Sequence, residues 1–145
     1  MDHFFHFFLS FSHPTVIVPL VVVGYIGLSE KKFYQALSLL FLSMLVNCAL
    51  KASFKIPLSP ALGKEGFAFP SGHMQSSIVF YGWLFKFCHK YIKIALSFIL
   101  VCIAGGLLHF HYHNGIDIVG GIFFGCMLIF LYNTYLKQDT KKTFY

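Results

Sequence analysis

The chain contains no arginine. All 11 of its basic residues are lysines, against 5 acidic residues in 145. Without a guanidinium the protein has no group that clamps two anionic oxygens at once, so any anion it holds must rest on ammonium groups, imidazoles and backbone amides. Charged residues of both signs make up only 11% of the chain, which excludes the solvated surface of a soluble domain. The four cysteines, Cys48, Cys88, Cys102 and Cys126, all fall within or at the ends of apolar segments. They read as buried thiols in helices rather than as disulfide partners or metal ligands. Internal repeats and low-complexity linkers are absent too. The first 13 residues lack a basic stretch and carry Asp2, which argues against a cleaved signal peptide.

What the chain does have is apolar mass. Hydrophobic residues make up 57% of it and the mean hydropathy is +0.72, values of a bilayer protein. At 145 residues it forms one domain, all-α and polytopic. Five apolar segments, Pro14–Leu28, Phe33–Leu50, Ile78–Cys88, Ile92–Phe110 and Ile116–Leu136, are predicted to cross the membrane. The third is short, and reaches a full span only if its first turn, Gly72 to Ser77, is buried in protein or faces a watery cavity. Residues 1–13, rich in phenylalanine, read as an interfacial helix in front of the five spans. Gly120, Gly121 and Gly125 give the last span a small face, suited to packing within the bundle more than to dimerisation, and oligomeric state stays open.

Lysine alone sets the orientation. With five crossings, Lys31, Lys32, Lys86, Lys90, Lys93, Lys137, Lys141 and Lys142 share one side of the membrane, while Lys51, Lys55 and Lys64 lie on the other. The positive-inside rule makes the first side cytoplasmic and places the only long loop, residues 51–71, outside. The net charge of +6 is thereby accounted for by topology, with acidic lipid headgroups as its counterpart and no nucleic acid required.

Polar chemistry gathers at that outer face. Phe69-Pro70-Ser71-Gly72-His73 stands at the mouth of the third span, and His113-x3-Asp117 at the mouth of the fifth. Four-residue spacing lets Asp117 share a helix face with His113 and hold one ring nitrogen, leaving the other free to attack. His73 supplies or takes the proton, which completes a nucleophile, an orienting acid and an acid/base. Ser71 can cap the following helix, whose Gly72 and His73 amides make an anion site. The plainer alternative, His113 as a satisfied histidine and Asp117 as a helix cap, is open for that pair alone. Lys51 either snorkels from the end of the second span or reaches phosphate. A histidine string, His109-x-His111-x-His113, would share a face on an extended segment and suit zinc or copper. The covalent reading explains His113 with Asp117 better, and no metal or other cofactor is expected.

Together these stretches resemble the three signatures of the type 2 phosphatidic acid phosphatase superfamily, which includes the undecaprenyl-pyrophosphate phosphatases and the vanadium haloperoxidases. Its pattern is Lys-x6-Arg-Pro, then Pro-Ser-Gly-His, then Ser-Arg-x5-His-x3-Asp. This chain has Lys51, then Pro70-Ser71-Gly72-His73, then His113 and Asp117, with Gly121 at the family's usual small position. The resemblance implies a small bacterial enzyme of the inner membrane with its active site on the periplasmic side. Phosphate would be removed from a lipid phosphate or pyrophosphate through a phosphohistidine. His113, Asp117 and His73 would be catalytic, with Lys51, Ser71 and Gly72 on the phosphate.

The chain departs from that pattern at both arginines, where it has Leu58 and Leu107. Losing one such oxyanion donor typically costs about 2.7–4 kcal/mol in the barrier. Lys55, Lys64, His109 and His111 are the candidate substitutes. Otherwise the substrate is a singly charged phosphodiester, as the resemblance to sphingomyelin-synthase-like headgroup transferases implies, or the protein binds lipid phosphate without turning it over.

Overall fold

Apolar sequence in a bilayer must satisfy every backbone hydrogen bond without water, and this chain does so within each segment, as helices. The computed structural model describes residues 1–27, 29–58 and 65–142, and among these there is no strand longer than a single bridge. The helices are α1 (Asp2–Ser10), α2 (Pro14–Gly27), α3 (Glu30–Phe54), α4 (Gly72–Leu84), α5 (Lys90–His109) and α6 (Gly115–Lys142). A short 3₁₀ turn, Phe85–Phe87, follows α4. Pro14 opens α2, where its missing N–H costs nothing. Glu30 sits in the first turn of α3 and Lys51 in its last, each matching the helix dipole.

The all-α bundle expected from composition is what the chain forms. By length and apolarity α3, α5 and the Gly115–Tyr135 part of α6 can each cross a membrane, and α1 with α2 makes a fourth stretch bent by 46°. The short third segment is α4, with only 13 residues. It runs through the middle of the bundle, with Met74, Gln75, Ser77, Val79, Phe80, Tyr81 and Trp83 all buried. Its polar first turn therefore lies in protein rather than in lipid, the condition under which a short span is tolerated. Outward, Ile26, Phe41, Leu45, Val101, Val119 and Phe130 are exposed, an apolar belt that matches hydrocarbon and would aggregate in water. This is an integral membrane protein. Of the thiols expected to be buried, only Cys102 is; Cys48 and Cys126 lie exposed on helix exteriors and Cys88 is half-buried. In a bilayer an apolar position faces lipid as readily as core, so sequence alone does not separate the two.

Small residues set the closest approaches. A Cβ added at Gly121 would stand 2.8 Å from the Ser71 carbonyl oxygen, and one at Gly125 would stand 2.8 Å from the Ile78 side chain. The glycine face of α6 thus packs on α4 inside the bundle. Gly121→Ala is expected to cost about 1–3 kcal/mol and to lower activity, because backbone rather than a flexible side chain must yield. Gly27→Ala, whose Cβ would meet nothing within 4 Å, is the control and should melt with the parent protein. Thermal unfolding in detergent reads both.

Two sets of contacts give the bundle its ends. Lys86 stands over the Trp83 ring at 4.0 Å and Lys32 over Phe87 at 4.8 Å, while the Trp83 indole donates to the Lys32 carbonyl. These lysines gather at the end of α4 remote from Ser71. At the other end, α1 lies along α5. Phe5 rests against Gly105 and Gly106 and stacks on His109, Phe8 meets Phe98 edge-on, and the Tyr81 hydroxyl donates to the Phe11 carbonyl at 2.8 Å.

Candidate active site

A backbone hydrogen bond joins the two motifs that the sequence keeps forty residues apart. The Ser71 amide donates to the Asp117 carbonyl at 3.0 Å, where α6 packs on the start of α4. Ser71 is fully buried and its hydroxyl accepts from the Met74 amide at 3.4 Å, so it is the N-cap of α4. That cap aims the helix start at a cavity, with Gly72 and His73 in its lining. Gly72 packs tightly there: a Cβ at this position would come 3.0 Å from the Asn47 side-chain oxygen, which would have to give way.

His113 precedes α6, so its pairing with Asp117 spans the helix cap instead of a helix face. Asp117 is the third residue of α6, and its Oδ2 accepts from the Asn114 amide at 2.9 Å, the reciprocal half of a capping box. The same oxygen lies 3.5 Å from His113 Nδ1. Both side chains are more than nine-tenths buried, and Nδ1 has no hydrogen-bond partner at its present geometry. Burial holds the imidazole below its ordinary value of 6.5, with Asp117 pulling upward and Lys51 adding to the downward push. At neutral pH the ring is therefore uncharged.

Lys51, His73 and His113 line one cavity of about 630 Å³. Lys51 and His73 also line a second, apolar cavity of about 290 Å³ between α2 and α3, walled by Ile17, Val18, Leu40 and Phe41. The long loop is zipped at its base, where Leu58 donates to Gly66 at 3.0 Å and Ala68 to Ile56 at 2.8 Å. The Ala68 backbone is thereby held beside the His113 ring.

The expected substitutes for arginine fall elsewhere. Lys55 caps α3 in a left-handed conformation, exposed, with φ 51°. His109 bonds Asp2 at 2.9 Å and stacks on Phe5. His111 is exposed at φ 54° in the turn that ends α5. None of these three lines either cavity. Lys64 lies outside the described residues. The string His109-x-His111-x-His113 is not extended, because a helix end and a left-handed turn separate its members, and no group of three ligands among the described residues is arranged around a common point.

Sequence reasoning passed over a buried polar ladder. Gln75 donates to the Ser43 carbonyl and hydroxyl at 3.0 and 3.1 Å, and Asn47 donates to Gln75 at 3.0 Å and to the Pro70 carbonyl at 3.3 Å. It ties α3 to the start of α4 and so sets Lys51 against Gly72 and His73. The signal was present: Ser43, Asn47 and Lys51 recur every four residues, a polar stripe along an apolar helix. Tyr112, unforeseen, lines the larger cavity together with His6 and His13 from the N-terminal segment, where the His13 ring stands 5.0 Å from that of His73.

With this geometry in hand, the sequence profile of the PAP2 superfamily matches residues 32–141. No curated protein matches the chain by sequence. In fold the chain is similar to Aquifex aeolicus LpxE, at 20% identity and a TM-score of 0.82, over 92% of this chain and 86% of that one. It is similar too to a transmembrane PAP2 type phosphatidylglycerolphosphate phosphatase from Bacillus subtilis, at 19% identity and a TM-score of 0.77. That match covers 94% of this chain and 77% of the other.

Proposed function

We propose a function from one premise: the chain belongs to the PAP2 superfamily. It is a membrane lipid phosphatase that removes phosphate from a lipid phosphate or lipid pyrophosphate at the outer face of a bacterial inner membrane. One observation carries this reading, the convergence of Lys51, His73 and His113 on a single cavity with Asp117 behind His113. The Bacillus subtilis protein of similar fold is named for a lipid phosphate of this kind. The lysine asymmetry supports the outer face, with Lys32 and Lys86 at the end of α4 remote from the cavity.

The substrate's chain lies in the apolar cavity between α2 and α3, and its phosphate reaches the groups common to both cavities, Lys51 and His73. His113 attacks phosphorus through the ring nitrogen turned away from Asp117. The bond from phosphorus to the lipid oxygen breaks, and His73 gives that oxygen a proton. The ring of the phosphohistidine is now cationic and faces the Asp117 carboxylate, which stabilises it. Water then attacks phosphorus and passes a proton to His73; inorganic phosphate leaves and His113 returns neutral. Ser71 acts by capping α4, which presents the Gly72 and His73 amides to the phosphate.

Purified protein assayed on phosphatidate, phosphatidylglycerophosphate, undecaprenyl pyrophosphate and a phosphodiester lipid is expected to release inorganic phosphate from members of the first three. Vanadate should inhibit and chelators should not. Leu58 and Leu107 in the cavity lining favour a second reading, headgroup transfer from a singly charged phosphodiester. Faster consumption of the phosphodiester, with no free phosphate, would establish that reading instead. For orientation, a cysteine replacing Glu65 should react with an impermeant thiol reagent from outside intact cells, and protection there would reverse the topology.

A further inference from the structure

The larger cavity has leucine where the family resemblance puts arginine, at Leu58 and Leu107, and two histidines where it puts nothing, His6 and His13. Both histidines come from the N-terminal segment, ahead of the part that matches the family, residues 32–141. We infer that His6 and His13 are phosphate ligands, which stand in for the missing guanidinium groups and fit the site to a doubly charged terminal phosphate. The inference rests on the reading of this cavity as the lipid-phosphate site.

Three observations carry it. First, the two rings share the cavity lining with Lys51, His73 and His113, so a phosphate reached by the proposed nucleophile is within their surroundings as well. Second, their segment is anchored. Asp2 bonds His109 at 2.9 Å, Phe5 packs on Gly105 and Gly106, and Tyr81 holds the Phe11 carbonyl, so contacts flank His6 and hold the chain two residues ahead of His13. Third, the N-terminal segment sorts by role. Phe4, Phe7 and Phe8 pack on one another or on α5, whereas the His6 ring, resting against Phe110 at 4.3 Å, and the His13 ring, 5.0 Å from that of His73, both border the cavity. Chemically, an imidazole offers one N–H when neutral and two with a positive charge when protonated, so two of them can supply the donors and charge that one lysine cannot. A phosphodiester, with fewer free oxygens and a single charge, has less use for both.

The test compares the full-length purified protein with His6→Ala/His13→Ala, His6→Gln/His13→Gln, and the alanine pair carrying Leu58→Arg, by affinity for inorganic vanadate and by kinetics on a phosphomonoester lipid. The alanine pair is expected to bind vanadate at least about tenfold more weakly and to raise KM more than it lowers kcat. The glutamine pair, which keeps an N–H donor, should lie between it and wild type, and Leu58→Arg should recover a large part of the loss. Unchanged vanadate affinity and KM in the alanine pair overturn the inference. Equal weakening in the alanine and glutamine pairs, with no recovery by Leu58→Arg, overturns it in favour of a packing role. Wild-type protein that binds vanadate but hydrolyses no lipid phosphate defeats the hydrolase reading alone, and the vanadate comparison still decides the histidines. Wild-type protein that binds no vanadate defeats both.

Discussion

His113→Ala is expected to lower turnover of a lipid phosphate by roughly 10⁴- to 10⁶-fold while leaving the fold intact. The size of the effect follows from the role: no other imidazole in the cavity has a buried carboxylate behind it. The fold should survive because His113 Nδ1 makes no close hydrogen bond and the ring's other contacts, with Asp117 and the Ala68 backbone, do not join the helices of the bundle. Steady-state assay with thermal unfolding in detergent checks both halves. Loss of activity together with a collapsed melting temperature would mark His113 as structural. Wild-type pH dependence is a companion reading. The ring must be neutral to attack, and burial holds it below its ordinary 6.5, so the acid limb of the activity profile should lie below that value, while loss of the His73 proton sets the alkaline limb. A midpoint above 6.5 for the acid limb would contradict His113 as the group that titrates.

Asp117→Asn is expected to lower kcat by roughly 10²- to 10⁴-fold with a much smaller effect on KM. The amide retains an oxygen to accept from the Asn114 N–H, so the cap of α6 survives, as does the backbone bond from Ser71 to the residue 117 carbonyl. What is lost is the charge that stabilises the cationic ring during phosphoryl transfer. The sign of a pH shift separates this from a packing defect. Asp117 raises the His113 value, so its neutralisation should move the acid limb to still lower pH even as the rate falls. A rate loss with the acid limb unmoved, or moved upward, would argue against electrostatic support by Asp117.

Some of this was written along the chain itself. Composition with long unbroken apolar runs sufficed for an all-α membrane protein, because 57% hydrophobic residues in such runs fit spanning helices and lack the alternation of barrel strands. The Pro-Ser-Gly-His and His-x3-Asp stretches were legible because local rules govern them: a cap ahead of a helix start, an acid in a first turn. The packing of Gly121 and Gly125 inside the bundle was legible on the same terms, since only a hydrogen side chain admits backbone so close.

Tertiary structure alone decided the rest. Whether Cys48 faces protein or lipid depends on which side of α3 the bundle covers, and an apolar sequence does not record that. His109, His111 and His113 look equivalent at alternate positions, yet the end of α5 and a left-handed turn send the first to Asp2 and the second to the surface, and leave only the third in the cavity. His6 and His13 read as part of a phenylalanine-rich surface helix until α1 docks on α5 and carries them to the cavity that holds Lys51 and His73. The reason is common to all three cases. Secondary structure and helix caps arise from neighbours within four residues, while a binding site is assembled across contacts whose partners are separated by loop closure and chosen by packing.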